Sequence, residues 1–152
     1  QLVDCLGCRD IIQLDGGIFF FRFAVTKSAS IQHFFQTRLF DTWKSKILIV
    51  NLDRASNVGN HRVVLTPTLI LSNPDGELVR YRLRSAAVRS RCGDHISAAV
   101  LSGDSVFVRD CKLVHFNDHK VTEIKSDSRG IYIPEVEKNA CLAFYERIEE
   151  FI

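Results

Sequence analysis

The sequence predicts an α/β fold: a βαβ unit followed by a ββα unit, with a small α+β extension at the C-terminal end. Three observations carry this prediction. Two nearly continuous apolar runs, "IFFFRFAV" (18–25) and "KILIVNL" (46–52), have the character of strands buried on both faces. Between them Ile31, Phe34, Phe35 and Leu39 fall at i, i+3, i+4 and i+8, the stripe of an amphipathic helix. After them "LTPTLIL" (65–71) places Thr66-Pro67 directly before a third β run.

The elements follow in order. A leader covers 1–17, contains "CLGC" and ends at Gly16-Gly17. The first strand is 18–25. Polar "TKSAS" then leads into the helix, with Ser28 or Ser30 as its N-cap and Trp43 about a turn beyond the stripe. The second strand, 46–52, completes a βαβ unit whose crossover is expected to be right-handed. Polar "DRASNVGNHRVV" is a loop. "TLIL" (68–71) and "ELVRYRL" (77–83) form a hairpin about Asn73-Pro74-Asp75-Gly76. A helix is expected within 94–101, capped by Asp94 and stopped at Gly103. These elements make one domain over 18–103.

The extension, 104–152, reads as a hairpin around Asp110-Cys111-Lys112 and short strands at "KVTEI" and "GIYI". A final helix then starts at Pro134, with Val136, Ala140, Phe144, Ile148 and Phe151 as its stripe.

Composition bounds the function. The chain has 152 residues, 46% hydrophobic and 25% charged, the balance of a globular domain able to bury its own core. A net charge of +2 is too small to imply nucleic acid by itself, although the arginines are unevenly placed. Nucleic-acid binding would want aromatics on the arginine face, whereas Tyr81 falls on the opposite one. The longest apolar run is too short for a membrane span and contains Arg22. Five cysteines, an odd number, do not read as a secreted disulfide framework, so a reducing cytoplasmic location is expected. The start at Gln1 and the lack of any Met point to a fragment or a processed chain.

The order β-α-β-loop-β-β-α is that of the thioredoxin-like fold, in which a proline sits just before the third strand, commonly with a cis peptide. Thr66-Pro67 occupies that place, so a structural cis bond is expected there. The segments "FFFRFAVTKSAS", "KILIVNLDRASNVGNHRVVLTPTLIL" and "SNPDGELVRYRL" resemble the circadian-clock KaiB family over 18–101. The resemblance implies a thioredoxin-like domain that binds partner proteins, as in clock-associated signalling proteins, and does no redox chemistry. The loop before "TPTLI" and the "RLRSAAVRSR" that follows the fourth strand depart from that family's pattern.

Several residues are candidate sites. Cys5-x-x-Cys8 precedes the first strand, whereas a redox pair belongs after it, so dithiol catalysis does not fit. Cys5, Cys8, Cys92 and His95 together offer a zinc donor set of three thiolates and one imidazole. The plain alternative is satisfied or exposed thiols. Arg80, Arg82 and Arg84 alternate along the fourth strand and share a face, which suits an acidic partner surface or a solvated edge strand. Ser28 stands where some thioredoxin-like transferases hold a catalytic hydroxyl, with helix capping as its plain role. His115 and His119 flank "FND" and could form a minor metal site with Cys111; exposed turn histidines are the plain reading.

No nucleophile–base–acid trio, phosphate loop or pair of catalytic carboxylates stands out. The expectation is therefore a non-enzymatic protein-interaction domain, a sensory or adaptor part of a larger signalling protein, with no cofactor unless zinc is bound. The alternatives are a thioredoxin-like enzyme (a glutathione transferase or thiol oxidoreductase) and a structural subunit of a large assembly.

Overall fold

The computed structural model describes residues 11–14, 17–36, 45–54, 61–72, 76–89, 95–102, 112–124 and 134–148. The elements are β1 (Ile11–Leu14), β2 (Ile18–Ala24), β3 (Ala29–Ser30), α1 (Ile31–Gln36), β4 (Ile47–Asp53), β5 (Val63–Val64), β6 (Thr68–Ser72), β7 (Leu78–Arg89), β8 (Ile96–Ser102), β9 (Lys112–Asn117), β10 (Lys120–Ile124), α2 (Pro134–Asn139) and β11 (Ala140–Ile148). Nine strands form one sheet in the order β1-β2-β4-β11-β7-β8-β9-β10, with β6 also paired to β7; β3 and β5 make a separate two-stranded ribbon.

This corrects the expected α/β class. Among the described residues the protein is mostly β with two short helices, and its sheet, in which β11 lies between β4 and β7, is not the thioredoxin arrangement. Among the described strands of the large sheet only β2 and β4 pair in parallel; every other pairing is antiparallel. Ile96–Ser102 and Ala140–Ile148, which overlap the segments expected as helix, are the strands β8 and β11. Among the described residues of the expected final helix, only Pro134–Asn139 is helical. β9, β10 and β11 come from the expected extension, and β11 lies between β4 and β7.

One face of the large sheet carries the core. In β2 the burial alternates, with Phe19, Phe21 and Phe23 inward, and β4 matches it with Leu48, Val50 and Leu52. These three phenylalanines run up the face, stacked at 6.1 and 6.3 Å between centroids. Phe35 of α1 meets Phe21 and Phe23 edge-on at 5.1 and 5.3 Å, while Phe34 stacks on Phe23 at 4.9 Å. Offset and T-shaped contacts are the favoured aromatic geometries. Tyr81, Leu83, Ala86 and Val88 of β7 and Ala140, Ala143 and Tyr145 of β11 continue the same core.

Thr66-Pro67 has a positioning role different from the one expected. Among the described residues no peptide bond is cis, so the expected cis bond at Thr66-Pro67 is corrected to trans. The segment is held by its polar groups instead. The Pro67 carbonyl accepts from the Leu83 amide at 2.9 Å, and the Thr66 carbonyl accepts from the Tyr145 hydroxyl at 2.8 Å. Thr66 Oγ1 accepts from the Gln32 amide at 3.1 Å, and Ser30 Oγ accepts from the His33 amide at 3.1 Å. Two side chains from distant parts of the sequence thus cap the first turn of α1.

Candidate functional site

The polar groups that gather in one place lie at the end of the β8–β9 pair. The register pairs Ala98 with Phe116 and Ala99 with His115. Alternation along the two strands therefore puts Ser97, Ala99, His115 and Asn117 on one face and Ala98, Val100, Val114 and Phe116 on the other. His95 stands directly before β8, and Asn117 ends β9.

His95 Nε2 lies 2.6 Å from Asn117 Oδ1. A carboxamide oxygen can only accept, so this contact places the proton on Nε2. Nδ1 then carries the lone pair, and no described residue partners it. His95 Nε2 is also 3.6 Å from Asp118 Oδ2, an ion pair when the imidazole is protonated. Beside this group His115 Nε2 and Ser97 Oγ lie 2.8 Å apart. The His95 side chain is 39% exposed.

Asp118 opens the two-residue turn between β9 and β10 and takes a φ of 53°. Positive φ is uncommon outside glycine, and aspartate is among the side chains that tolerate it. The turn aims Asn117 and Asp118 back toward His95. Asn117 thus holds the His95 ring in one orientation at the end of β8 and β9.

The expected site residues distribute differently. Cys5, Cys8, Cys92 and Cys111 lie outside the described residues, so of the proposed zinc set only His95 is placed. Among the described residues no group of three or more His, Cys, Asp or Glu could hold a metal ion. Arg80, Arg82 and Arg84 lie on β7, an interior strand. Arg82 is 6% exposed, and Arg84 Nε lies 3.4 Å from Glu146 Oε2. Ser28 is exposed, and Ser30 does the capping. His119 is exposed in the β9–β10 turn.

Sequence reasoning missed Asn117 as a partner of His95. It placed His95 at the mouth of a helix, although the alternation of Ser97, Ala99 and Leu101 with Ile96, Ala98 and Val100 was the available strand signal.

A second polar cluster is structural. Arg54 donates to three carbonyls: Nε to Ala140 at 2.8 Å, one terminal nitrogen to His61 at 2.7 Å, the other to Glu137 at 2.7 Å. Burial lowers its pKa from the usual arginine value, an effect the nearby Cys141 partly offsets. The buried Glu137 carboxylate accepts two bonds from Arg62, one of 2.8 Å from Nε. Cys141 itself contacts the Ala87 carbonyl at 3.4 Å and, with β7 between β11 and β8, sits two strands from β8.

No family model and no curated protein matches the chain. Its fold does match solved structures. It superposes on a chain of the SAGA Ubp8/Sgf11/Sus1/Sgf73 DUB module with a TM-score of 0.59 at 14% identity, covering 86% of this chain and 33% of that one. A yeast SAGA DUB module with a mutant Sgf73 gives a TM-score of 0.59 at 13% identity, with 86% and 34% covered. A third DUB module, with a truncated Sgf11, gives 0.51 at 18% identity, with 70% and 24% covered. At such identities the likeness is one of fold. The expected kinship to the clock family is thereby corrected, together with its thioredoxin-like core and signalling context: the "TPTLI" segment belongs to a β-rich sheet of the kind seen in DUB-module structures. The chain spans about a third of the length of the DUB-module chains it matches most fully.

Proposed function

We propose that the chain is the β-rich part of a protein that works inside a multi-protein deubiquitinating assembly, and that His95 with Asn117 is the acid–base half of its hydrolytic site. The observation that carries this reading is the 2.6 Å contact between His95 Nε2 and Asn117 Oδ1 at the accessible end of β8 and β9. The fold likeness to DUB-module chains supports it.

Removing ubiquitin from a conjugate is the hydrolysis of an amide, an acyl transfer that needs an activated nucleophile. His95 Nδ1 takes the proton of that nucleophile and later returns it to the leaving amine. Asn117 holds the tautomer and the ring orientation. Asp118, 3.6 Å from Nε2, stabilises the imidazolium that forms between the two steps. The attacking thiol comes from outside the described residues, since Cys141 is two strands away.

The test is release of a fluorogenic amide from the ubiquitin C-terminus by the full-length protein with its co-purified partners. His95→Ala should lower the rate about 10²–10⁴-fold, and Asn117→Ala should lower it less. An unchanged rate in His95→Ala rejects the acid–base role.

A second reading, a structural subunit that binds partners without catalysis, is favoured by the exposed apolar side chains of Ile96, Phe116 and Val121. It predicts partner co-purification that neither substitution disturbs.

A further inference from the structure

Two carboxamides in this fold are held in different ways. Gln32 of α1 is held at both ends: Nε2 donates to the Ile70 carbonyl at 2.9 Å, and Oε1 accepts from the Ile70 amide at 2.8 Å. That pairing closes the outer side of β6 and leaves the Gln32 amide one orientation. Asn117 is held at its oxygen alone, by His95 Nε2 at 2.6 Å; among the described residues its Nδ2 has no hydrogen-bond partner. Orientation matters there. Turned over, the Asn117 amide would present N–H to Nε2 and require a lone pair on it, which moves the ring proton to Nδ1.

The strand register brings a second pair of side chains to Asn117. β8 and β9 pair Ala98 with Phe116, so one step further Ser97 stands directly opposite Asn117. Ser97 Oγ lies 2.8 Å from His115 Nε2. The two contacts, His95 with Asn117 and Ser97 with His115, are both diagonal and lean the same way along the strands. Ser97 Oγ, drawn toward His115, is therefore on the side of Asn117 away from His95. The amide turns Nδ2 to that side. A hydroxyl proton aimed at Asn117 would meet its N–H groups. The Ser97 proton goes instead to the lone pair on Nε2 of a neutral His115, and the Ser97 oxygen keeps its own lone pairs toward Asn117.

We propose that Ser97 and His115 are positioning residues, which together select the Asn117 amide orientation and, through it, the His95 tautomer with its proton on Nε2. With Ser97 in place, Nδ1 stays open to accept a proton. Without it, the two amide orientations come closer in energy, and a share of the molecules carries the proton on Nδ1, where the ring cannot act as a base. The consequence for catalysis rests on the acid–base role of His95 given above, whereas the tautomer can be read without it.

Long-range proton–nitrogen NMR of the histidine rings in the full chain, at mildly alkaline pH with both rings neutral, tests this. The unmodified chain should show His95 protonated on Nε2 and His115 on Nδ1. Ser97→Ala should move part of the His95 population to the Nδ1 form, and His115→Phe, which removes the acceptor, should act in the same direction. Ser97→Thr keeps the hydroxyl and should restore the original tautomer. In the release of a fluorogenic amide from ubiquitin, Ser97→Ala should lower kcat by about twofold to tenfold at constant KM, the weight of one hydrogen bond, and Ser97→Thr should recover it. The unmodified chain decides the matter even where a variant folds poorly: His115 with its proton on Nε2 overturns the proposal. So does a His95 tautomer that both Ser97→Ala and His115→Phe leave unchanged. A tautomer that shifts at constant rate upholds the positioning and rejects the acid–base role of His95, so the two fail separately.

Discussion

Arg54 shows how one side chain can fix several segments at once. Its guanidinium binds carbonyls of the loop before β5, of α2 and of the first residue of β11. A lysine there would keep the charge and lose the planar fork. Arg54→Lys should cost about 1–3 kcal/mol in denaturant unfolding, because buried carbonyls lose their donors. Tyr145 gives a prediction with a pH signature. Burial raises its pKa well above the usual tyrosine value, and its hydroxyl donates to the Thr66 carbonyl. The unfolded chain ionises this phenol at about pH 10, whereas the folded chain keeps it neutral. The unfolded state thus binds fewer protons above that pH, and stability falls as pH rises. Tyr145→Phe should remove this part of the alkaline loss while costing about 1 kcal/mol at neutral pH. A melting series from neutral to alkaline pH on both proteins checks the sign.

The elements are fixed by contacts that join distant parts of the sequence. Thr66→Val removes the acceptor for the Gln32 amide and should destabilise the fold by about 0.5–2 kcal/mol, measured by thermal unfolding. Gln32→Ala should act differently. It uncovers the outer edge of β6, so its clearest readout is faster aggregation by light scattering at a modest change in melting temperature. The elements legible in the sequence were those with strong local signals: β2, β4, the β6–β7 hairpin and the first turns of α1. The strands β8 and β11 were not. The small residues of "ISAAVLS" blur its alternation, since alanine is at home in a helix and fits a crowded strand. In the last segment Val136, Ala140, Phe144 and Ile148 keep a helical spacing, while the buried residues are Ala140, Ala143 and Tyr145. Tertiary pairing on both sides of β11 overrode the local preference. The candidate site went the same way: once β8 was read as a helix, His95 lost its cross-strand neighbour Asn117.

On the scale of the whole molecule, the core depends on aromatic packing across the β2–β4 seam and α1. Phe21 is 1% exposed and touches Phe19, Phe23 and Phe35. Phe21→Ala should cost about 3–5 kcal/mol, a large part of the roughly 5–15 kcal/mol that holds a domain of this size. Equilibrium urea unfolding measures it. The overall architecture was hidden from sequence reading because the sheet is ordered by long-range pairings. No local pattern says that residues 140–148 slot between strands from 47–53 and 78–89.

That slotting has a temporal side. During synthesis β4 and β7 emerge long before β11, the strand both of them pair with. Among the described strands β11 alone pairs with both β4 and β7, so until residue 148 is made the β1-β2-β4 and β7-β8-β9-β10 groups lack the strand that joins them. Such late, non-local closure is slow and leaves the intermediate open to chaperones and to misassembly. A chain released before residue 140 should therefore remain bound to chaperones in a translation extract, and one extended through Ile148 should become protease-resistant.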